Sequence, residues 1–295
     1  MPGQREQRDR PGQAPSSGAG ARGDTAMIQV KLCNLPPFHP VAAKLLSLPG
    51  DAAFDVKQIV SIVGGDPALA SEILFVANSS LFGFPARIQT LRHAVAVLGV
   101  DCIKQLAMTV AMRALAHGSG PIVHACWRHG VACAVIAEKI APQFGCSMEL
   151  AYTAGLLHDI GRLGFLRTYA EQIGPVLAGE YEDSDQAIAA ERSVMNASHA
   201  EAGAWLIEYW ALPVALSETC SQHHDQAHES DSPALKVVKT ACRLADATGF
   251  AAVRCTAETS YSAALQAAAP DTPLTSFPAE DEMRAEVEAR LQAFG

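Results

Sequence analysis

The chain reads as an all-α protein built from two helical subdomains. Three observations predict this. Apolar residues recur at helical spacing in nearly every segment from residue 40 onward. Helix starts are marked by caps and prolines, as in Asp66-Pro67 and at Thr90, Pro121 and Pro213. No stretch shows the apolar–polar alternation of a half-buried strand, and no internal repeat is visible. Hydrophobic residues make up 49% of the 295, which fits a well-buried, Ala-rich helical protein with a sizeable core.

Residues 1–26 are rich in Gly, Pro, Gln, Arg and Ser and have little to bury, so they are expected to be a disordered tail. They contain no apolar core of the kind a secretory signal needs. Met27 directly precedes the first apolar segment and is a second candidate start. Pro40 opens a first helix through Leu46, which Pro49-Gly50 ends. Asp55 is placed to cap a second helix, Val56 to Val63, which Gly64-Gly65 stops. Asp66 caps and Pro67 opens a third helix to about Ala77, and Asn78-Ser79-Ser80 forms its C-terminal turn. Thr90 caps a fourth helix that ends at Gly99, and Asp101 is expected to cap a fifth through Ala116. His117-Gly-Ser-Gly120 is the break between the subdomains, 27–118 and 119–250.

The second subdomain opens with a long helix from Pro121 to Ile140. After the turn Phe144-Gly-Cys-Ser147 an apolar run, Ala151 to Leu157, ends in His158-Asp159, and Gly161 and Gly164 are expected to loosen the backbone beyond it. Residues 179–185 read as an acidic loop, followed by a helix from Asp185 to Val194. His199 starts a helix to about Trp210, and Pro213 opens one that ends in His223-His224. Asp225 to Pro233 is a polar loop, and Leu235 to Thr248 carries Asp246. The tail 251–295 contains Pro270, Pro273 and Pro278, then an amphipathic helix, Glu280 to Phe294, expected to pack back on the domain.

Composition narrows the function. A net charge of −9 argues against a broad nucleic-acid surface. The helix pair around Gly64-Gly65-Asp66 loosely resembles a helix-turn-helix, but its second helix, Pro67 to Ala77, has no Arg or Lys and carries Glu72. No apolar run approaches the ~20 residues a membrane helix needs. The eight cysteines are scattered, with no Cys-x-x-Cys pair, and read as small buried hydrophobes in a reducing cytoplasm.

The chemistry concentrates at His158 and Asp159. Charged groups avoid apolar surroundings unless paired or metal-bound, so this pair needs partners. The chain offers His129, His199, the pair His223-His224 and Asp246, each within or at the end of an apolar helical segment. A hydrogen-bonded pair that pins a helix end is the alternative to a metal centre. By the same token His199 reads equally as a plain helix-start residue, and one of His223 and His224 as a solvated turn residue. Asp246, near a helix C-terminus, is unfavourable against the helix dipole and calls for a cationic or metal partner. His39, His93, His117, His124 and His228 fit no pattern.

The order His, His-Asp, distant Asp resembles the HD superfamily of metal-dependent phosphohydrolases. Leu35-Pro-Pro37, Gly65-Asp-Pro-Ala-Leu-Ala70, Ala77-Asn-Ser-Ser80, Ala94-Val-Ala-Val-Leu-Gly99, His199-x-x-x-Gly203 and Trp210-x-Leu-Pro213 resemble the hallmarks of the HDOD family, the HD-related output domain. The likeness spans roughly residues 30–250 and implies an HDOD domain over 27–250 with an HD-like second subdomain. Resemblance to HD phosphohydrolases implies one divalent ion on His129, His158, Asp159 and Asp246. Resemblance to the HD-GYP branch implies a second on His199, His223 and His224, bridged by Asp159. Such N/O sets suit Fe, Mn, Mg or Zn. The chain departs from that branch: it lacks a Gly-Tyr-Pro tripeptide, has Arg162 where Lys is frequent, and has Ala125 one turn before His129. HDOD resemblance implies a regulatory, signal-transducing module that binds a partner protein or small ligand and is not catalytic. The other reading is a phosphohydrolase acting on a nucleotide or other phosphoester.

Overall fold

A computed structural model describes residues 18–48, 56–116, 120–257 and 259–294. The expected cap at Asp55, the stop at Pro49-Gly50, residues 117–119 of the expected break and residues 1–17 of the expected tail lie outside them. The described chain is helical almost throughout. In order it forms α1 (Gly18–Leu32), α2 (Pro40–Leu46), α3 (Val56–Gly64), α4 (Pro67–Ala77), α5 (Leu91–Leu98) and α6 (Val100–Leu115). The second subdomain follows with α7 (Pro121–Ile140), α8 (Met148–Leu157), α9 (Ile160–Leu177), α10 (Ser184–Met195), α11 (His199–Tyr209), α12 (Val214–Gln222) and α13 (Pro233–Ala247). Two further helices close the chain, α14 (Tyr261–Ala268) and α15 (Glu280–Phe294). Two-residue strands pair in parallel: β1 (Glu180–Tyr181), within the expected loop 179–185, and β2 (Arg254–Cys255), within the expected helical tail 251–295.

The local reasons are visible at the helix ends. Asp66 accepts from the backbone N–H groups of Ala68 and Leu69, and Thr90 accepts from His93, so both caps act as expected. Asp101 does not cap. Gly99, at φ 84°, both ends α5 and precedes α6, which places Asp101 inside the first turn of α6. The first helix begins at Gly18, so the stretch Gly18–Ala26 is helical where disorder was expected. Ile28 and Leu32, both buried, anchor that helix, and it packs on α9 and α11 of the second subdomain. Asn78 makes more than a turn: its side-chain amide donates to the carbonyls of Leu74 and Ile88 and accepts from the N–H of Ile88. It thereby clips the segment before α5 to the end of α4.

One continuous apolar core joins the two subdomains, running from Ile28 to Phe294. Phe38, ahead of α2, packs on Trp210 at the end of α11, with tilted rings whose centroids are 5.6 Å apart. Helix α15 returns to α7, where Phe294 meets Trp127 edge-on. In the second subdomain α8 and α13 pack on α7, and α11 packs on α9. The expected loosening at Gly161 and Gly164 is not what these residues do, since both lie within α9. A Cβ on Gly161 would stand 2.0 Å from the carbonyl oxygen of His199, and one on Gly164 would stand 2.7 Å from Leu206 Cδ1. They let α9 and α11 touch, which brings His199 against Asp159.

Candidate metal centre

Five helix segments deliver the polar side chains. His129 and Cys133 lie one turn apart on α7, so they share a face. His158 is the C-cap of α8 and Asp159 the residue before α9; the backbone at Asp159 (φ −101°, ψ 15°) breaks the helix between them. His199 opens α11 behind a capping box of Ser198 and Glu201. His223 closes α12, with His224 next. Cys242 and Asp246 lie one turn apart on α13. His129, His158, Asp159, His199, His223, Cys133 and Cys242 are all buried, and His224 is half-buried.

The histidine rings are oriented alike. His129 donates Nδ1–H to the Phe250 carbonyl (2.9 Å), His158 to Gly155 (2.7 Å) and His223 to Cys220 (2.8 Å). His199 donates Nδ1–H to Glu191 Oε2 (2.5 Å), which also accepts from the His199 backbone N–H. Carbonyls and carboxylates only accept, so Nδ1 carries the proton and a neutral ring turns a bare Nε2 inward. This is the outer-sphere pattern of metal-ligating histidine. The inward atoms then crowd together. His129 Nε2 is 3.3 Å from His158 Nε2, and His199 Nε2 is 3.3 Å from His223 Nε2. Asp159 Oδ1 is 3.2 Å from both His199 Nε2 and His223 Nε2.

The donors fall into two groups. In each, the ligand atoms lie within 4.8 Å of one another: His129, Cys133, His158 and Cys242 in one, Asp159, His199, His223 and His224 in the other. Asp159 Oδ1 and His224 Nε2 are buried polar atoms with no hydrogen-bond partner. Facing lone pairs and an acceptor oxygen in a dry interior need a shared cation, a metal ion or a proton. The residues therefore fit a divalent ion.

Electrostatics set the second group apart. Arg162 donates from Nη1 to Asp159 Oδ2 and from Nε to Glu191 Oε1 (3.1 Å). Burial pushes the Asp159 carboxyl up, but Arg162, then His158 and His199, outweigh it and hold it well below the usual range. Burial likewise raises Glu191, and His199 and Arg162 outweigh that, bringing it to about 2. Burial, followed by the charges of His223 and His199, holds His224 well below the ordinary histidine range, hence neutral. In the first group a hydrogen bond with Cys133, then those with His129 and His158, hold the Cys242 thiol well below its usual range against the pull of burial.

Asp246 does not join either group. Its Oδ1 lies 3.6 Å from His129 Nδ1, on the side of the ring turned away from His158. The bond from His129 Nδ1 to Phe250 fixes that orientation, and Cys242, one turn earlier on α13, takes the inner position. Burial of the carboxyl and the nearby Cys242 push Asp246 up to about 7; half of its side-chain surface (52%) still reaches solvent, which screens that effect. The expected set of His129, His158, Asp159 and Asp246 around one ion is thus redrawn. The expected set of Asp159 with His199, His223 and His224 is brought together as one cluster. Sequence reasoning missed Cys133, Cys242 and Glu191. The only available signals were the i, i+4 spacings His129–Cys133 and Cys242–Asp246.

A surface cleft of about 400 Å³ reaches the second group through His224 and is lined also by Arg192, Ser198, Ser221, Asp185 and Asp225. None of the four residues of the first group lines that cleft. Among the described residues, no single helix is long and apolar enough to cross a membrane.

Comparison with known proteins agrees with this architecture. The chain is similar over 93% of its length to 96% of an HDOD domain protein of Geobacter sulfurreducens, at 20% identity and a TM-score of 0.71. A Marinobacter aquaeolei VT8 protein, named as a candidate signal transduction protein, matches 94% of this chain with 66% of its own, at 20% identity and a TM-score of 0.70. A Shewanella amazonensis SB2B protein, named as a candidate metal-dependent phosphohydrolase, matches 92% of this chain with all of its own (100%), at 20% identity and a TM-score of 0.61. An uncharacterized protein of Treponema pallidum (strain Nichols) is 25% identical over 175 residues, 59% of this chain and 34% of that protein. The match thus spans about a third of that curated relative's length. The HDOD domain family model matches residues 35–226. With two-thirds of its length matched, and with its hallmark segments Asp66-Pro67, Asn78 and His199-x-x-x-Gly203 in structural roles, the chain belongs to the HDOD family.

Proposed function

We propose that this chain is a regulatory module of signal transduction, in which the HD-type centre binds metal to hold helices together and does not turn over a substrate. The observation that supports this most is closure. Structural metal sites are filled by protein ligands, whereas catalytic ones keep a position open for water or substrate. Here the second oxygen of Asp159 is taken by Arg162, and Oδ1 faces His199 and His223. An Asp159 bound in that way is poorly disposed to bridge two ions around an attacking water. The helical segments that flank the ligands are apolar, with Leu156, Leu157, Val131 and Ile136 all buried. Arg162 is already engaged by Asp159 and Glu191, and Arg192 is the one arginine or lysine among the described residues lining the cleft, a thin supply of cation for the charge that develops in phosphoryl transfer.

A module of this kind acts through other proteins. The first subdomain exposes large apolar side chains, among them Phe75 (73% exposed), Phe84 and Val97, suited to a signalling partner. Phe75→Ser is expected to weaken capture of that partner while leaving the fold intact. A partner that binds the variant as tightly as the parent would move the docking site elsewhere.

One observation favours the second reading, a metal-dependent phosphohydrolase. The cleft at His224 opens to solvent beside Arg192 and is large enough for a small phosphoester. The test is a panel of nucleotides, cyclic dinucleotides and simple phosphoesters incubated with protein loaded with Mn, Fe or Zn. An Asp159→Asn variant runs beside it. No turnover above the variant is expected. Robust hydrolysis by the parent, lost in the variant, would replace the regulatory reading with the enzymatic one.

A further inference from the structure

We infer that His129, Cys133, His158 and Cys242 form a second, separate metal site, a closed tetrahedral His2Cys2 site for a thiophilic divalent ion, with zinc as the natural occupant. It does not depend on whether the neighbouring His/Asp group is catalytic or regulatory.

The distances carry the inference. In a tetrahedral zinc site with Zn–N of about 2.0–2.1 Å and Zn–S of about 2.3 Å, two nitrogens stand roughly 3.3–3.4 Å apart and a nitrogen and a sulfur roughly 3.6 Å apart. His129 Nε2 to His158 Nε2 is 3.3 Å. His129 Nε2 to Cys133 Sγ is 3.5 Å, and to Cys242 Sγ is 3.6 Å. Three edges of one tetrahedron are thus present at the spacing zinc would impose. All four ligand atoms lie within 4.8 Å of one another. Both rings donate Nδ1–H to a carbonyl, of Phe250 and Gly155, so Nε2 is the atom available to the ion.

Charge and hardness select the metal. Two thiolates and two neutral imidazoles around a divalent ion sum to zero, the least costly arrangement for a site with four buried ligands. Sulfur ligands disfavour Mg and Mn and favour zinc. Binding releases to solvent the protons that the two thiols still carry and forms two Zn–S and two Zn–N bonds, with no change in oxidation state. The site would cross-link α7, the end of α8 and α13. It differs from the neighbouring group in ligand type, in having no residue that lines the cleft, and in not using Asp159.

Cobalt and zinc are the probes, added singly to the full chain after purification under reducing conditions. Cobalt at this site is expected to give the thiolate-to-cobalt charge-transfer absorption of a sulfur-ligated tetrahedral ion, abolished when zinc is added. Metal analysis should find one zinc equivalent lost in Cys133→Ser and in Cys242→Ser. Asp159→Asn should lose a different equivalent and keep the charge-transfer absorption, which separates failure of this site from failure of the neighbouring one. Should a Cys variant misfold, the spectrum of the parent alone decides. A parent without thiolate-to-cobalt absorption, Cys variants that fold and keep the full zinc content, or a Cys133–Cys242 disulfide in place of metal would each overturn the inference.

Discussion

The two donor groups meet at the His158–Asp159 junction, draw their other ligands from different helices (α7 and α13 for one, α11 and α12 for the other), and differ in nearly everything else. The His129, Cys133, His158, Cys242 group is soft, carries no carboxylate, and orients its rings with backbone carbonyls alone. The Asp159, His199, His223, His224 group is hard by comparison, rests on the charged chain Arg162–Glu191–His199, and meets the surface cleft at His224. A single helix break separates them, because adjacent residues at a helix end point to different sides. What this teaches is that an HD-type pair does not specify one site. The residues one turn away on the neighbouring helices decide which ion each half can hold.

Stripping metal should perturb the molecule most. An ion held at a thousandfold its Kd adds about 4 kcal/mol of stability, so removing both is expected to lower the thermal midpoint sharply. Calorimetry with and without a strong chelator reads this. A biphasic loss, with the His/Asp ion leaving first past His224 at the cleft, would sharpen the contrast between the two groups. A simultaneous loss would blur it.

Glu191→Ala should come next. It leaves His199 Nδ1 without its acceptor and Arg162 with one carboxylate fewer in a buried setting, a loss of about 3–5 kcal/mol. Chemical denaturation measures the cost. Metal analysis should show loss at the His/Asp group alone, and loss at both groups would mean that they are one unit. Gly161→Ala is expected to cost about 3 kcal/mol, since its Cβ meets backbone that cannot rotate away. It too should spare the thiol group, because α7, α8 and α13 do not depend on that contact. Asn78→Ala, far from both groups in the chain, should cost about 1 kcal/mol from its lost bonds to Leu74 and Ile88 and leave metal content unchanged.

The same contrast marks what was legible in the sequence. Caps and prolines announce the helices because their signals are local: Asp66, Thr90 and Pro67 each act on backbone a few residues away. The histidines of the His/Asp group were legible because they stand next to one another or at helix ends. Cys133 and Cys242 were not, because a thiol among apolar neighbours looks like any small buried residue until α7 and α13 are packed together. Glu191 was hidden for the same reason, sitting on α10 and acting on α11. Gly161 shows the reverse error, a glycine whose purpose is close approach and which resembles flexibility when read along the chain. Asp246 was legible as a polar oddity near a helix end, but only tertiary structure reveals that Cys242 stands inside it.

The most direct test of two distinct centres is a crystal structure of the zinc-loaded chain with anomalous scattering recorded on both sides of the zinc edge. The expected result is two peaks, one among His129, Cys133, His158 and Cys242 and one among Asp159, His199, His223 and His224. A single peak on Asp159 with both thiols uncoordinated, or no peak at either group, would contradict it.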